Sequence, residues 1–141
     1  MLSRVADSLY WMSRYLERAE NTVRQLDVTM NLMLDTGGAS SEARWQRLMA
    51  SLGKATAVEW NGDLDSMAST LVFDSLNPVS VTHCMNGARE NARQVREEIS
   101  SEQWQRLNRL FHQTVSYTHL KDRSLAGGRS ATDRKPAGQG A

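Results

Sequence analysis

The chain has 141 residues, of which 40% are hydrophobic and 23% are charged, so it is long enough to fold as one domain with a buried core. Its net charge is +1, but residues 1–120 carry 12 Lys and Arg against 14 Asp and Glu, a balance that argues against a phosphate-binding surface for nucleic acid. A single cysteine, Cys84, and the lack of any run of about 18 apolar residues lead us to expect a soluble cytoplasmic protein.

The first element is a very long helix, predicted from Leu2 to Asp35 and ended by Gly37 and Gly38. Its apolar residues recur in steps of three and four, a spacing that places them on one side of a helix. We name this set the α1 seam: Leu2, Val5, Leu9, Met12, Leu16, Ala19, Val23, Leu26, Met30 and Met33. We expect the seam to be buried against other helices.

Two shorter helices follow the glycine pair. The second helix is predicted to begin after Ser40 or Ser41 and to end at Gly53. Its apolar residues are Trp45, Leu48, Met49 and Leu52. The third helix is predicted from Leu64 to Asp74. The residues that share its apolar face are Leu64, Met67, Ala68, Leu71 and Val72.

The fourth helix is predicted to begin at Asn77 and Pro78, which suit the N-cap and the first helical position. It carries a second seam at Val81, Met85, Ala88, Ala92, Val95 and Ile99. The steps of four and three predict that this helix lies along the first. Gly87 costs about 1 kcal/mol relative to alanine inside a helix, so we expect it to serve close packing.

A fifth helix is predicted after the capping box formed by Ser100 and Gln103. Its apolar face steps through Trp104, Leu107, Phe111 and Thr114. We therefore place the domain at residues 1–114 and interpret residues 115–141 as a disordered tail, since residues 121–141 contain four glycines and no aromatic residue. Residues 115–120, VSYTHL, resemble the translation of a transposon end, so an artefact of cloning or assembly is a second interpretation of this segment.

The side of the first helix away from the seam carries two large aromatic residues among charged and polar ones. We name this set the aromatic-polar face: Tyr10, Trp11, Arg14, Glu17, Arg18, Asn21 and Arg24. A solvated surface with ion pairs such as Arg14 with Glu17 is one interpretation. Two adjacent aromatic residues favour a second one, in which the face contacts further protein within the chain, in an oligomer or in a partner.

Glu20 borders the α1 seam and lies four residues before Arg24. A structural ion pair between them is the simpler interpretation, and a general base or metal ligand is the alternative. The histidines lack the Glu-x-x-His spacing of di-iron bundles, and no phosphate-binding loop or zinc spacing is present, so we expect neither metal nor cofactor. Cys84 flanks the second seam, which predicts a small buried apolar residue.

Two segments resemble the recurrent blocks of the bacterial alpha-E domain family, all-helical proteins of unassigned function: residues 1–28, MLSRVADSLYWMSRYLERAENTVRQLDV, and residues 88–104, ARENARQVREEISSEQW. The resemblance implies a longer helical protein, of which this chain is the N-terminal part. No catalytic residue is established in the family. The recurrent positions carried over to this chain are Arg14, Glu17, Arg18, Glu20, Asn21, Arg89, Glu90, Asn91 and Arg93.

The resemblance also implies a role in making or modifying peptides, because members of the family are encoded beside an ATP-grasp protein and a transglutaminase-like cysteine peptidase. We expect an all-α, up-and-down bundle of about five helices that acts as a non-catalytic partner or scaffold of these proteins. One alternative is an enzyme of the same pathway, in which Glu20 acts with Glu or Arg residues of the second block on a peptide or amino acid. The other is a self-associating bundle that forms a homo-oligomer.

Overall fold

A computed structural model of the chain describes the backbone of residues 2–36, 41–53 and 58–129 and most of their side chains. Within these ranges the chain forms five α-helices and no strand: α1 (Leu2–Thr36), α2 (Ser41–Leu52), α3 (Leu64–Phe73), α4 (Val81–Gln94) and α5 (Ser101–Arg129). The all-α fold and the very long first helix are confirmed. The 35 residues of α1 span about 50 Å at 1.5 Å per residue.

The long helix α1 packs along α4, as the two seams predict, and the two helices are antiparallel. The second seam was predicted to continue on this helix to Ile99, but α4 ends at Gln94, so Val95 and Ile99 are buried beyond its end. Ser8 donates a hydrogen bond to the side-chain oxygen of Gln94 at 3.2 Å, and Thr22 donates to the backbone oxygen of Val79 at 2.9 Å. As the position on α1 rises from 8 to 22, the position of its partner falls from 94 to 79. These two bonds fix the register of the pair.

The buried apolar residues form two clusters, and α1 contributes to both. The first cluster joins the C-terminal half of α1 to α2 and α3, with Trp45, Met67 and Leu71 almost fully buried. The second joins the N-terminal half of α1 to α4 and α5, around Ala88 and Ala92, which have no exposed surface. The core therefore runs along α1 rather than around a single centre.

The α1 seam is only partly correct. Leu2 is 89% exposed and Val23 is 48% exposed, whereas Thr22 is fully buried at the level where the seam predicted Val23. An α-helix repeats every 3.6 residues and the seam every 3.5, so the buried side drifts away from a strict alternation over several turns. Leu2 is exposed because α4 ends at Gln94, which pairs with Ser8, and α1 continues beyond it.

The predicted start of the fourth helix is also wrong. α4 begins at Val81, and its N-cap is Ser80, whose side chain accepts a hydrogen bond from the backbone N–H of His83 at 3.1 Å. The Asn77 side chain instead accepts the backbone N–H two residues on, at 3.1 Å, and Pro78 lies in the resulting turn. Asparagine side chains stabilise such turns as readily as helix starts, so the pattern alone does not decide between them.

The fifth helix begins as predicted and ends later. Ser100 accepts the backbone N–H of Gln103 at 3.1 Å, and Gln103 accepts that of Ser100 at 3.0 Å, which confirms the capping box. The backbone remains helical past Thr114 as far as Arg129. Residues 115–129 contain no proline to interrupt the local backbone hydrogen bonds. Residues 130–141, the rest of the predicted tail, lie outside the described residues, and the artefact interpretation stays a prediction.

Candidate functional site

A cleft of about 240 Å³ opens where the middle of α1 passes the end of α2 and the turn before α4. We name it the α1 cleft. Its wall on α1 is built from positions spaced three and four apart, which places their side chains on one side of the helix. The residues that line it are Arg14, Glu17, Arg18, Asn21 and Thr22 from α1, and Ser51, Leu52 and Val79 from the opposite wall.

The α1 cleft contains four of the seven residues of the aromatic-polar face. The two aromatic residues continue that face toward the N-terminus: Tyr10 is 56% exposed and Trp11 is 42% exposed. Their rings meet edge to face, with centroids 5.4 Å apart. Arg24 lies beyond the other end of the cleft. The structure thus places two solvent-exposed aromatic rings and a polar cleft on one continuous helix surface.

The electrostatics of the cleft are set by two arginines and one glutamate. Arg14 donates to the Glu17 carboxylate at 2.6 Å, so these two charges offset each other. Arg18 is half-buried, its guanidinium carbon lies 5.8 Å from the centre of the Tyr15 ring, and it forms no ion pair with any residue that the structure describes. The cleft therefore presents a guanidinium group that can donate to a carboxylate or another oxyanion.

Cys84 lies on α4 in the core behind this wall of α1. It has no exposed surface, which confirms the prediction of a small buried residue. Burial raises the pKa of the Cys84 thiol, and the positive charge of Arg18 lowers it in part. Because the net effect is a raised pKa, the thiol stays protonated at neutral pH and is a poor nucleophile.

Glu20 lies on α1 outside the lining of the cleft. Its carboxylate accepts a hydrogen bond from Arg24 on the same helix at 2.5 Å, and 67% of the Glu20 side chain is exposed. This is the ion pair that the spacing of four predicts. Glu20 has the geometry of a solvated surface residue rather than that of a desolvated general base.

The second block of recurrent residues lies on α4, and none of them lines the α1 cleft. Arg89 donates to the Asn108 side chain on α5 at 3.0 Å and so links the two helices. Glu90 and Arg93 are exposed and form an ion pair at 3.8 Å. Asn91 donates to a backbone oxygen one turn earlier in its own helix. The two blocks therefore belong to different surfaces of the bundle.

The opposite wall of the cleft was not predicted from the sequence. Leu52 and Val79 come from two other parts of the chain, and no local pattern marks them as neighbours of α1. Ser51 bonds to the side chain of Gln25, which ties α2 to α1 at this level. Thr22 precedes the seam residue Val23. The only signal for Thr22 in the sequence is a polar side chain beside a stripe of apolar residues.

Two further properties bear on the kind of site. Among the described residues, no group of three or more His, Cys, Asp and Glu side chains is arranged to hold a metal ion. In the same part of the chain, no helix is both long and apolar enough to cross a membrane.

These features define a helical-bundle domain with an arginine-bearing cleft on its long first helix. Residues 1–134 match the Alpha-E family, described as a predicted alpha-helical domain with a conserved ER motif, and the chain belongs to that family. The only Glu-Arg dipeptide in the sequence is Glu17 and Arg18. Both of these residues line the α1 cleft.

The relatives of the chain are much longer proteins. An uncharacterised protein of Mycobacterium bovis is 31% identical over 117 residues, a match that covers 72% of this chain and 13% of the relative. An uncharacterised protein of Mycobacterium tuberculosis H37Rv is 30% identical over 117 residues, with the same coverage. The chain thus spans 13% of the length of these relatives. No solved structure matches the chain.

Proposed function

We propose that the chain is a non-catalytic helical module that binds a partner protein through the aromatic-polar face of α1. The observation that carries this proposal is the exposure of Tyr10 and Trp11 side by side on a helix whose other side is buried. Large aromatic residues beside arginine are typical of the centre of protein interfaces, because they bury much area at little cost in side-chain entropy.

The α1 cleft supplies the polar part of this interface. Trp11 and Tyr10 would bury their rings against apolar groups of the partner, and Arg18, less than two turns further along α1, would donate to a carboxylate. Such a pairing gives specificity because the guanidinium group favours planar, two-oxygen acceptors. The family is described by a conserved ER motif, and this arginine belongs to the only Glu-Arg dipeptide of the sequence, which supports a role in recognition.

The partner that we propose is an ATP-grasp peptide ligase that works together with a transglutaminase-like peptidase. This choice follows from the family resemblance, and membership of the Alpha-E family supports it. In this proposal the module positions the ligase or its peptide substrate in the cytoplasm, and the ligase supplies the activation of the carboxylate.

The geometry favours this function over an enzyme that uses Glu20. A shared site would require Glu20 and the second block within reach of one substrate. The register of α1 and α4 places Glu90 level with position 12, eight residues before Glu20, which is about 12 Å along the helix. Each of the two carboxylates is exposed and already paired with an arginine of its own helix.

The test is co-purification of the tagged full-length chain with the ATP-grasp protein encoded in the same genome. We expect the double variant Trp11→Ala, Arg18→Gln to bind at least about tenfold more weakly, which corresponds to about 1.4 kcal/mol. Arg106→Gln, on α5 and 74% exposed, is the matched control and should bind like the wild type. Circular dichroism establishes that each variant is folded.

Four outcomes would count against the proposal. Wild-type binding by the folded double variant would exclude the aromatic-polar face as the contact, and no binding by the wild type would exclude the ligase as the partner. A Glu20→Gln variant that binds normally but abolishes turnover of the reconstituted pathway would favour the enzyme. A stable oligomer in light scattering, disrupted by Trp11→Ala, would favour self-association.

A further inference from the structure

A second groove, of about 440 Å³, lies between the C-terminal half of α1 and the helix α2. We name it the arginine groove. Its apolar strip consists of Val28 and Leu32 on successive turns of α1, with the buried Leu48 of α2 as its floor. Val28 is 53% exposed and Leu32 is 43% exposed, so two aliphatic side chains in one line meet water. The groove shares only Arg24 with the aromatic-polar face, and Tyr10 and Trp11 do not line it.

The rim of the groove is cationic. Arg44 is half-buried, and its Nε atom has no exposed surface and no hydrogen-bond acceptor among the described residues. A buried donor without an acceptor is costly, which distinguishes Arg44 from the other arginines of the groove. Arg47 lies three residues further along α2, is exposed, and forms no ion pair with a described residue. Arg24 also borders the groove, but Glu20 neutralises it.

The two features together select the chemistry of the occupant. The strip favours aliphatic side chains, and the positively charged guanidinium groups of Arg44 and Arg47 favour carboxylate oxygens. From Arg24 to Leu32 the groove runs for eight residues of α1, about 12 Å, which suits about two turns of a helix. A helix presents side chains at spacings of three and four, so acidic and apolar residues can face the same groove.

We propose that the arginine groove is a docking site for a short, acidic, amphipathic segment of a partner polypeptide. One or two carboxylates of that segment accept hydrogen bonds from Arg44 and Arg47. Its aliphatic side chains cover Val28 and Leu32 and reach Leu48. The concave shape argues against a membrane surface as the occupant, because a bilayer would touch the rim but not the buried floor.

The test begins with selection of a displayed library of random peptides of about twelve residues, roughly three helical turns, on the full chain. We expect enrichment of peptides with Asp or Glu next to Leu, Ile or Phe at spacings of three and four. Synthetic versions of these peptides are then titrated by fluorescence anisotropy. Arg44→Met with Arg47→Gln should weaken their binding at least about tenfold, while the control Arg106→Gln should leave it unchanged.

The two substitutions are chosen so that the variants remain folded. Methionine keeps the aliphatic stem of Arg44 and removes the orphaned donor, and the single variant Arg47→Gln alters only an exposed side chain. Enrichment of peptides without acidic residues, or of peptides that bind the double variant as well as the wild type, would overturn the proposal. So would the absence of any enriched peptide, or binding of phosphatidylserine vesicles with the same arginine dependence in its place.

Discussion

The ring of Tyr15 on α1 occupies the space that a side chain at Gly87 on α4 would need. A Cβ atom at position 87 would lie 2.8 Å from Cζ of Tyr15, closer than such atoms approach in proteins. The ring stands between Trp11, at a centroid distance of 6.2 Å, and His83, at 6.4 Å. The expectation that Gly87 serves close packing is thus confirmed, and its neighbour is an aromatic ring that connects the core to the exposed Trp11.

We expect Gly87→Ala to lower the free energy of unfolding by about 1 kcal/mol. Alanine alone would stabilise the helix by about 1 kcal/mol, but displacing the confined ring of Tyr15 costs about 2 kcal/mol, in the usual range for overpacking. Urea denaturation followed by circular dichroism measures the difference.

A second background tests the cause of this effect. With Tyr15→Ala in place, the space beside position 87 is vacant, so Gly87→Ala should raise the free energy of unfolding by about 1 kcal/mol. The sign of the effect therefore reverses between the two backgrounds. If Gly87→Ala destabilises both backgrounds equally, the Tyr15 ring is not the reason for the glycine.

Neighbouring residues on α1 provide a second prediction. Thr22→Val removes the hydroxyl that donates to the Val79 oxygen in the core, so we expect the free energy of unfolding to fall by about 1–2 kcal/mol. Val23→Thr changes a residue that is 48% exposed and should stay within about 0.5 kcal/mol of the wild type. Denaturant titrations give the free energy of unfolding of both variants. If Val23→Thr is the more destabilising of the two, Val23 rather than Thr22 belongs to the core.

This pair also shows how far the sequence could predict the fold. Features fixed by neighbours in the chain were predictable, such as the capping box at Ser100 and Gln103 and the end of α2 at Gly53, which has a φ of 110°. Features that depend on the drift of one helix against another were not. Thr22 replaces Val23 in the core because the partner helix, not the apolar spacing alone, decides which side is covered.

The same distinction between local and long-range features applies to the candidate site. Arg14, Glu17 and Arg18 lie together because helical spacing alone brings them to one side of α1. The opposite wall depends on where α2 ends and where the turn before α4 lies, which are long-range properties. The arginine groove was not predicted for the same reason. The burial of the Arg44 Nε atom, which distinguishes this residue, is visible only in the structure.

Ser80 carries a third prediction, since it closes the turn before α4. It accepts the backbone N–H of His83 and donates to the backbone oxygen of Asp74, and it is fully buried. Ser80→Ala removes both bonds, so we expect the free energy of unfolding to fall by about 2 kcal/mol, the upper range for an N-cap. Thermal melts measure this loss of stability. Ser101→Ala, at an exposed position in α5, is the control and should change the melting temperature little.

The fourth prediction concerns alkaline pH and Cys84. Burial raises the pKa of this thiol in the folded chain above its ordinary value of 9.0, and Arg18 opposes part of that rise. As pH increases past about 9, the unfolded chain releases the proton first, so the folded chain binds more protons than the unfolded one. The free energy of unfolding contributed by Cys84 is therefore fully present below about pH 9 and is lost as pH rises through the folded-state pKa.

The measurement compares the wild type with Cys84→Ala in urea denaturation from about pH 8 to about pH 10. The alanine variant is less stable throughout, but it lacks the titrating thiol, so the difference in free energy should narrow as pH rises. Arg18→Gln removes the charge that favours the thiolate in the folded chain, so its stability should fall over a wider range of alkaline pH. If the curves of wild type and Cys84→Ala stay parallel, the thiol has the same pKa in the folded and unfolded chains.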